Sequence, residues 1–170
     1  MSALCVGVTT TLLGVAVGFL LSYVGTWWRD KQQAKHEKRS LAGTLAAELE
    51  GFKATCPSDE QAVITWAAEQ SYTPVYDSAG PRLYLLGGEL VKDVAKCYSM
   101  VKRSLDECHR AQLMTQNVLV QVSGERSSAR EVGNTHASEA RRAAVATSQR
   151  AASAIDALLP KLDKVADEGK

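Results

Sequence analysis

No Asp, Glu, Lys, Arg or His precedes Arg29, an absence that sets the first 28 residues apart from everything that follows. Chemistry-bearing residues are scarce in the remainder too. The histidines, His36, His109 and His136, have no His, Cys or carboxylate at the i, i+4 spacing that places two metal ligands on one helix face, so no metal centre is expected. The cysteines Cys5, Cys56, Cys97 and Cys108 form no CxxC and read as reduced, buried thiols. GxxxxGK, GxGxxG and GxSxG are all missing, so neither a nucleotide cofactor nor a serine hydrolase elbow is indicated. Lys and Arg total 20 against 19 Asp and Glu, which leaves no field of one sign and argues against nucleic acid as a partner. There is no long repeat and no low-complexity tract.

The uncharged run is itself informative. Leu4 to Tyr23 supplies the roughly 20 apolar residues that cross a ~30 Å hydrocarbon core as a helix. Thr9 to Thr11 fit such a helix because each hydroxyl can bond back to its own backbone carbonyls. Tyr23, Trp27 and Trp28 suit the headgroup level, and the cations Arg29, Lys31, Lys35, Lys38 and Arg39 follow at once. With no Lys or Arg ahead of the run and a run too long for an h-region, a cleaved signal peptide is not expected. The sequence therefore predicts a single-pass anchor over 1–28 in the cell inner membrane, N-terminus outside and C-terminus cytoplasmic, with the lipid bilayer as a partner.

Small residues recur along this anchor at Ala3, Gly7, Thr11, Gly14, Gly18, Ser22 and Gly25, in steps of 4, 4, 3, 4, 4 and 3. That 11-residue repeat keeps them on one side of a nearly straight helix. Gly14 and Gly18 make a GxxxG pair within the stripe, the arrangement that lets two membrane helices approach closely. The stripe predicts a helix contact with a second copy or with another membrane protein.

Beyond the anchor, the pattern predicts an all-α chain, with a helical bundle over 29–122, a polar hinge over 123–136 and a heptad-patterned helix over 137–170. The first helix continues to about Thr55, with Leu41, Leu45, Leu49 and Phe52 on one face and Glu37, Lys38, Glu48, Glu50 and Lys53 mostly on the others. Cys56 and Pro57 end it, and Ser58 with Gln61 suggests a capping box for a helix to about Gln70. Tyr72 to Gly88 is broken by Pro and Gly yet rich in apolar residues, so short helical turns packed on the bundle are expected; the alternative is a protein-binding patch of Tyr72, Tyr76 and Tyr84. Glu89 to about Val122 reads as a long helix ended by Gly124, with Leu90, Val94, Cys97, Val101, Leu105 and Cys108 on one face. In the last helix Ala144, Ser148, Ala151, Ile155, Leu158, Leu162 and Val165 alternate by 4 and 3, and Pro160 should kink or restart it. The hinge before it suggests a helix able to leave the bundle for a cytoplasmic partner.

The segments LAAELEGF, YTPVYDS and LYLLGGELVKDVAKCYSMV resemble a loose group of uncharacterised bacterial single-span proteins with a cytoplasmic helical domain, over Thr44 to Leu105. The resemblance implies recurrent aromatic positions at Tyr76 and Tyr98 and carries no activity. Arg130 and His136, separated by five residues, look like the short signature of the helical HEPN ribonucleases, in which His would serve as general acid or base and Arg as phosphate clamp. Arg103 with His109 fits as well, so the pattern discriminates little. The leading expectation is a non-enzymatic interaction protein, an accessory subunit or scaffold of a membrane complex, without catalytic residues. The alternatives are the ribonuclease and an oligomerising, membrane-perturbing effector.

Overall fold

A computed structural model describes residues 2–66, 73–121 and 127–168, with side chains throughout these except at 2–17, 119–121 and 127–130. The described residues are all-α and hold no strand: α1 (Ser2–Thr55), α2 (Glu60–Thr65), α3 (Pro74–Ala79), a 3-10 segment (Gly80–Leu86), α4 (Gly88–Gln121) and α5 (Ser127–Asp167). The chain divides into two units, Met1–Lys38 and Arg39–Lys170.

In the first unit α1 presents its described side chains from Gly18 to Lys31 to the surface all the way round. Among the described residues no helix is long and apolar enough to cross a membrane. The side chains of residues 1–17, most of the expected anchor, lie outside the description.

The second unit is a helical bundle. Leu41, Leu45, Leu49 and Phe52 of α1 are buried in one core with Val94, Cys97, Val101 and Cys108 of α4 and Ile155, Leu158 and Leu162 of α5, as their spacing predicted. Asp93 with Lys161 and Ser104 with Ser148 fix α4 and α5 as antiparallel neighbours. Their contact is made by small residues: Ser104, Cys108 and Ala111 on one side, Ala144, Ser148 and Ala151 on the other, all buried.

Local signals explain the short elements, with one correction. The N-cap of α2 is Asp59, whose carboxylate accepts from the Ala62 N–H at 2.8 Å, and Ser58 only donates to Asp59. A carboxylate one residue nearer the helix is as good a cap as the Ser58 and Gln61 pair expected there. The described helix ends at Thr65, where Gln112 Nε2 donates to the carbonyls of Val63 and Trp66. Tyr72 lies outside the described residues, and α3 with the 3-10 segment are the short turns expected after it. Gly87, at φ 89°, makes the reversal into α4, a conformation that favours glycine.

The hinge is the larger correction. Residues 123–126 lie outside the description, but α5 is helical from Ser127 onwards, where a polar linker to His136 was expected. Gly133, which reads as a breaker, lies where a Cβ would meet Val118 Cγ2 at 3.3 Å, so it serves close packing on α4. Ala137 is buried one turn later. Pro160 does not restart the helix: α5 continues through it to Asp167. The heptad seam of α5 is therefore core, and a helix that docks and leaves would expose it. We predict that Ile155→Ala and Leu162→Ala each destabilise the domain by about 3 kcal/mol, and that truncation after residue 126 abolishes cooperative urea unfolding monitored by circular dichroism. Retention of a cooperative transition in the truncated chain would restore the detachable helix.

Candidate functional site

Three local constellations stand out. The first is the aromatic and cationic segment of α1. Phe19, Leu20, Leu21, Tyr23, Val24, Trp27 and Trp28 are each more than half exposed. Lys31 Nζ lies 4.7 Å from the centroid of Trp27, so cation and ring form one amphipathic surface. Gly18 and Gly25 of the small-residue stripe have open space where a side chain would stand, and Ser22 is exposed. Gly7, Thr11 and Gly14 lie within α1 at positions whose side-chain surroundings are outside the description.

The second constellation centres on Glu48. Its carboxylate accepts from the N–H groups of Val75 at 2.8 Å and Tyr76 at 3.1 Å, and from the Tyr98 hydroxyl at 2.6 Å. Pro74 at the first position of α3 presets its backbone, while Thr73 makes no capping bond and donates to Asp77 instead. Glu48 thus caps α3 from a distant helix, satisfying N–H groups that would otherwise be unpaired and placing negative charge at the positive helix end. Tyr76 stacks on Tyr98 with ring centroids 4.0 Å apart, and Lys102 lies over Tyr76 while pairing with Asp77. Burial first, and the Glu48 carboxylate second, push the Tyr98 phenol far above its ordinary range, so it remains a donor. The Lys102 ammonium holds the Asp77 carboxyl below the usual carboxylate range.

Buried thiols and hydroxyls make the third. Ser104 and Ser148 share a 2.8 Å hydrogen bond, Cys108 Sγ lies 3.7 Å from Ser148 Oγ, and Cys56 Sγ donates to the Ser148 carbonyl at 3.5 Å. Burial raises the pKa of Cys56 and Cys108 and pushes that of Cys97 up to about 11. These are inert thiols, the opposite of activated nucleophiles.

The structure separates what the tyrosine-patch reading joined. Tyr76 is taken up in packing against Tyr98, Tyr84 is 73% exposed, and Tyr72 is outside the description. The two aromatic positions singled out by resemblance are the pair that stacks. Of the ribonuclease pair, His136 is exposed beside Glu139 at 3.6 Å and the Arg130 side chain is outside the description. His36 and His109 are exposed as well. Among the described residues no three His, Cys, Asp or Glu side chains gather as metal ligands.

Glu48 was the missed residue. Its neighbours in the pattern, Leu45 and Phe52, place it on the edge of the apolar face and not opposite it, and a carboxylate there must find donors. No protein family, curated protein or solved structure matches the chain.

We predict that Glu48→Ala destabilises the bundle by about 2 kcal/mol and Tyr98→Phe by about 1 kcal/mol in urea unfolding, because the first leaves part-buried N–H donors unpaired. Amide exchange at Val75 and Tyr76 should accelerate in the first variant and stay slow in the second. Equal effects on exchange would show that the aromatic stack, not the cap, holds α3. For the thiols, iodoacetamide at about pH 8 should modify Cys56 before Cys97 and Cys108, with a rate that rises about tenfold per pH unit. Pulsed labelling read by mass spectrometry checks the order, and simultaneous modification of all three would contradict it.

Proposed function

We propose that this protein is a single-pass, membrane-anchored interaction protein, a non-enzymatic accessory subunit or scaffold of a membrane complex. The observation that carries the reading is the exposed apolar and aromatic surface of α1 from Phe19 to Trp28, preceded by a run without a single charge. A contiguous apolar surface of this kind is unfavourable in water and favourable in lipid. The span covers residues 1–28, with Trp27, Trp28, Arg29 and Lys31 at the headgroups and the bundle in the cytoplasm, beside the inner membrane. The stripe from Gly7 through Gly25 is the surface for a neighbouring helix, supported by the open space at Gly18 and Gly25.

The reading is tested on the full chain in cells. The protein should resist carbonate extraction, and Leu13→Arg should weaken that resistance, since an arginine at a span centre costs about 3 kcal/mol. In a Cys5→Ser background, a cysteine at Lys170 should escape an impermeant maleimide added outside. Gly14→Leu with Gly18→Leu should leave insertion intact and abolish helix association in a membrane reporter assay. Carbonate release of the unaltered protein would overturn the anchor, and outside labelling would overturn its orientation.

A further inference from the structure

A groove of about 870 Å³ runs between α4 and α5, lined by four cations, Lys96, Arg103, Arg150 and Lys161, and a single carboxylate, Asp93. Lys161 is paired with Asp93 at 2.5 Å. Lys96, Arg103 and Arg150 are exposed and make no ion pair among the described residues. Between the charged ends half-buried Met100 and buried Leu158 give an apolar strip, flanked by the small residues Ser153, Ala154 and Ala157.

From this groove we infer that the bundle binds an acidic amphipathic helix of a partner protein, laid along α4 and α5. The three cations unpaired among the described residues, Lys96, Arg103 and Arg150, with Lys161 shared with Asp93 at the far end, set the spacing of the occupant. Lys96 and Arg103 are seven residues apart, and Arg150 and Lys161 are eleven apart, both intervals that return to the same helix face. At 1.5 Å per residue they stand ~10 and ~16 Å apart along their axes. The antiparallel pairing puts the two arginines on facing walls of one end and the two lysines toward the other. A helix with carboxylates two to three turns apart and small or apolar residues between them matches both ends and covers Met100 and Leu158. A single phosphate group would engage one end of the groove and leave the other unmatched, and a lipid surface would leave the recessed floor unused. The inference rests on the proposed role as an interaction protein and places that role on the outward face of α5, since its heptad seam is core.

The test uses the full chain in phosphatidylcholine nanodiscs and a fluorescent helical peptide of about 20 residues. The peptide carries glutamates two and three turns apart on an Ala and Leu face. Saturable binding is expected, weakened at least tenfold by R103E with R150E, rescued by a peptide with lysine at the matching end, and lost with A157W, which fills the groove and keeps its cations. Circular dichroism of both variants should match the parent, because all three altered positions are exposed. Absence of saturable binding would overturn the proposal, as would equal binding of a peptide whose glutamates are scrambled off the face. So would an R103E with R150E effect confined to nanodiscs containing phosphatidylserine, which would assign the groove to lipid. Self-association of the full chain that persists in Gly14→Leu with Gly18→Leu and is lost with A157W would assign the groove to a second copy and overturn it likewise. Failure of the anchor reading would appear as carbonate release and leave the peptide measurement unchanged.

Discussion

The Glu48 carboxylate accepts three hydrogen bonds from two other elements, and the placement of the N-terminus of α3 follows from them. A six-residue helix such as α3 cannot hold itself together in water, because nucleation consumes more order than one turn returns. Its N–H groups reach a carboxylate fixed on α1, and its Tyr76 ring lies against Tyr98 of α4, which donates to the same carboxylate. One anion therefore ties three helices by directional bonds, where apolar contact alone would leave their relative positions loosely specified. Replacing one partner leaves the others part-buried with fewer donors or acceptors, so the cluster behaves as a unit.

Antiparallel packing of α4 on α5 depends on a different economy. Ser104, Ala111, Ala144, Ser148 and Ala151 bring the helices close and bury little area per residue, so the larger side chains Ile155, Leu158 and Leu162 supply most of the apolar contribution toward the far end. The buried hydroxyls are tolerable because Ser104 and Ser148 satisfy each other. Cys56 and Cys108 sit beside them as small, high-pKa side chains, suited to packing and unsuited to chemistry at neutral pH.

Periodicity made the long helices and their buried faces legible. Leu41 to Phe52, Val94 to Cys108 and Ala144 to Val165 all face the core because a 3.6-residue repeat reports burial directly. Features that depend on partners distant in sequence were not legible. Glu48 reads as a surface charge until the N-terminus of α3 is placed beside it, and Gly133 reads as a breaker until Val118 is placed against it. The cap of α2 was misassigned by one residue because Ser58 and Asp59 are both competent caps. The basic groove was hidden for a related reason: its four cations come from two helices and are diluted in a chain whose charges nearly cancel.

What each part leaves exposed bears on where contacts with other molecules can form. In the first unit the side chains from Phe19 to Trp28 are exposed and mostly apolar or aromatic, and exposed charges follow from Arg29 onward. In the bundle Leu41 to Phe52, Val94 to Cys108 and Ile155 to Leu162 pack in the core, and a groove with cations on both walls lies between α4 and α5. Under the proposed function, apolar packing in a membrane and charge matching at the groove would discriminate partners by different physics, one by close contact and the other by the spacing of carboxylates. A partner that met both would be selected twice on one chain, and affinity at each surface could stay modest, because binding at one raises the effective concentration at the other.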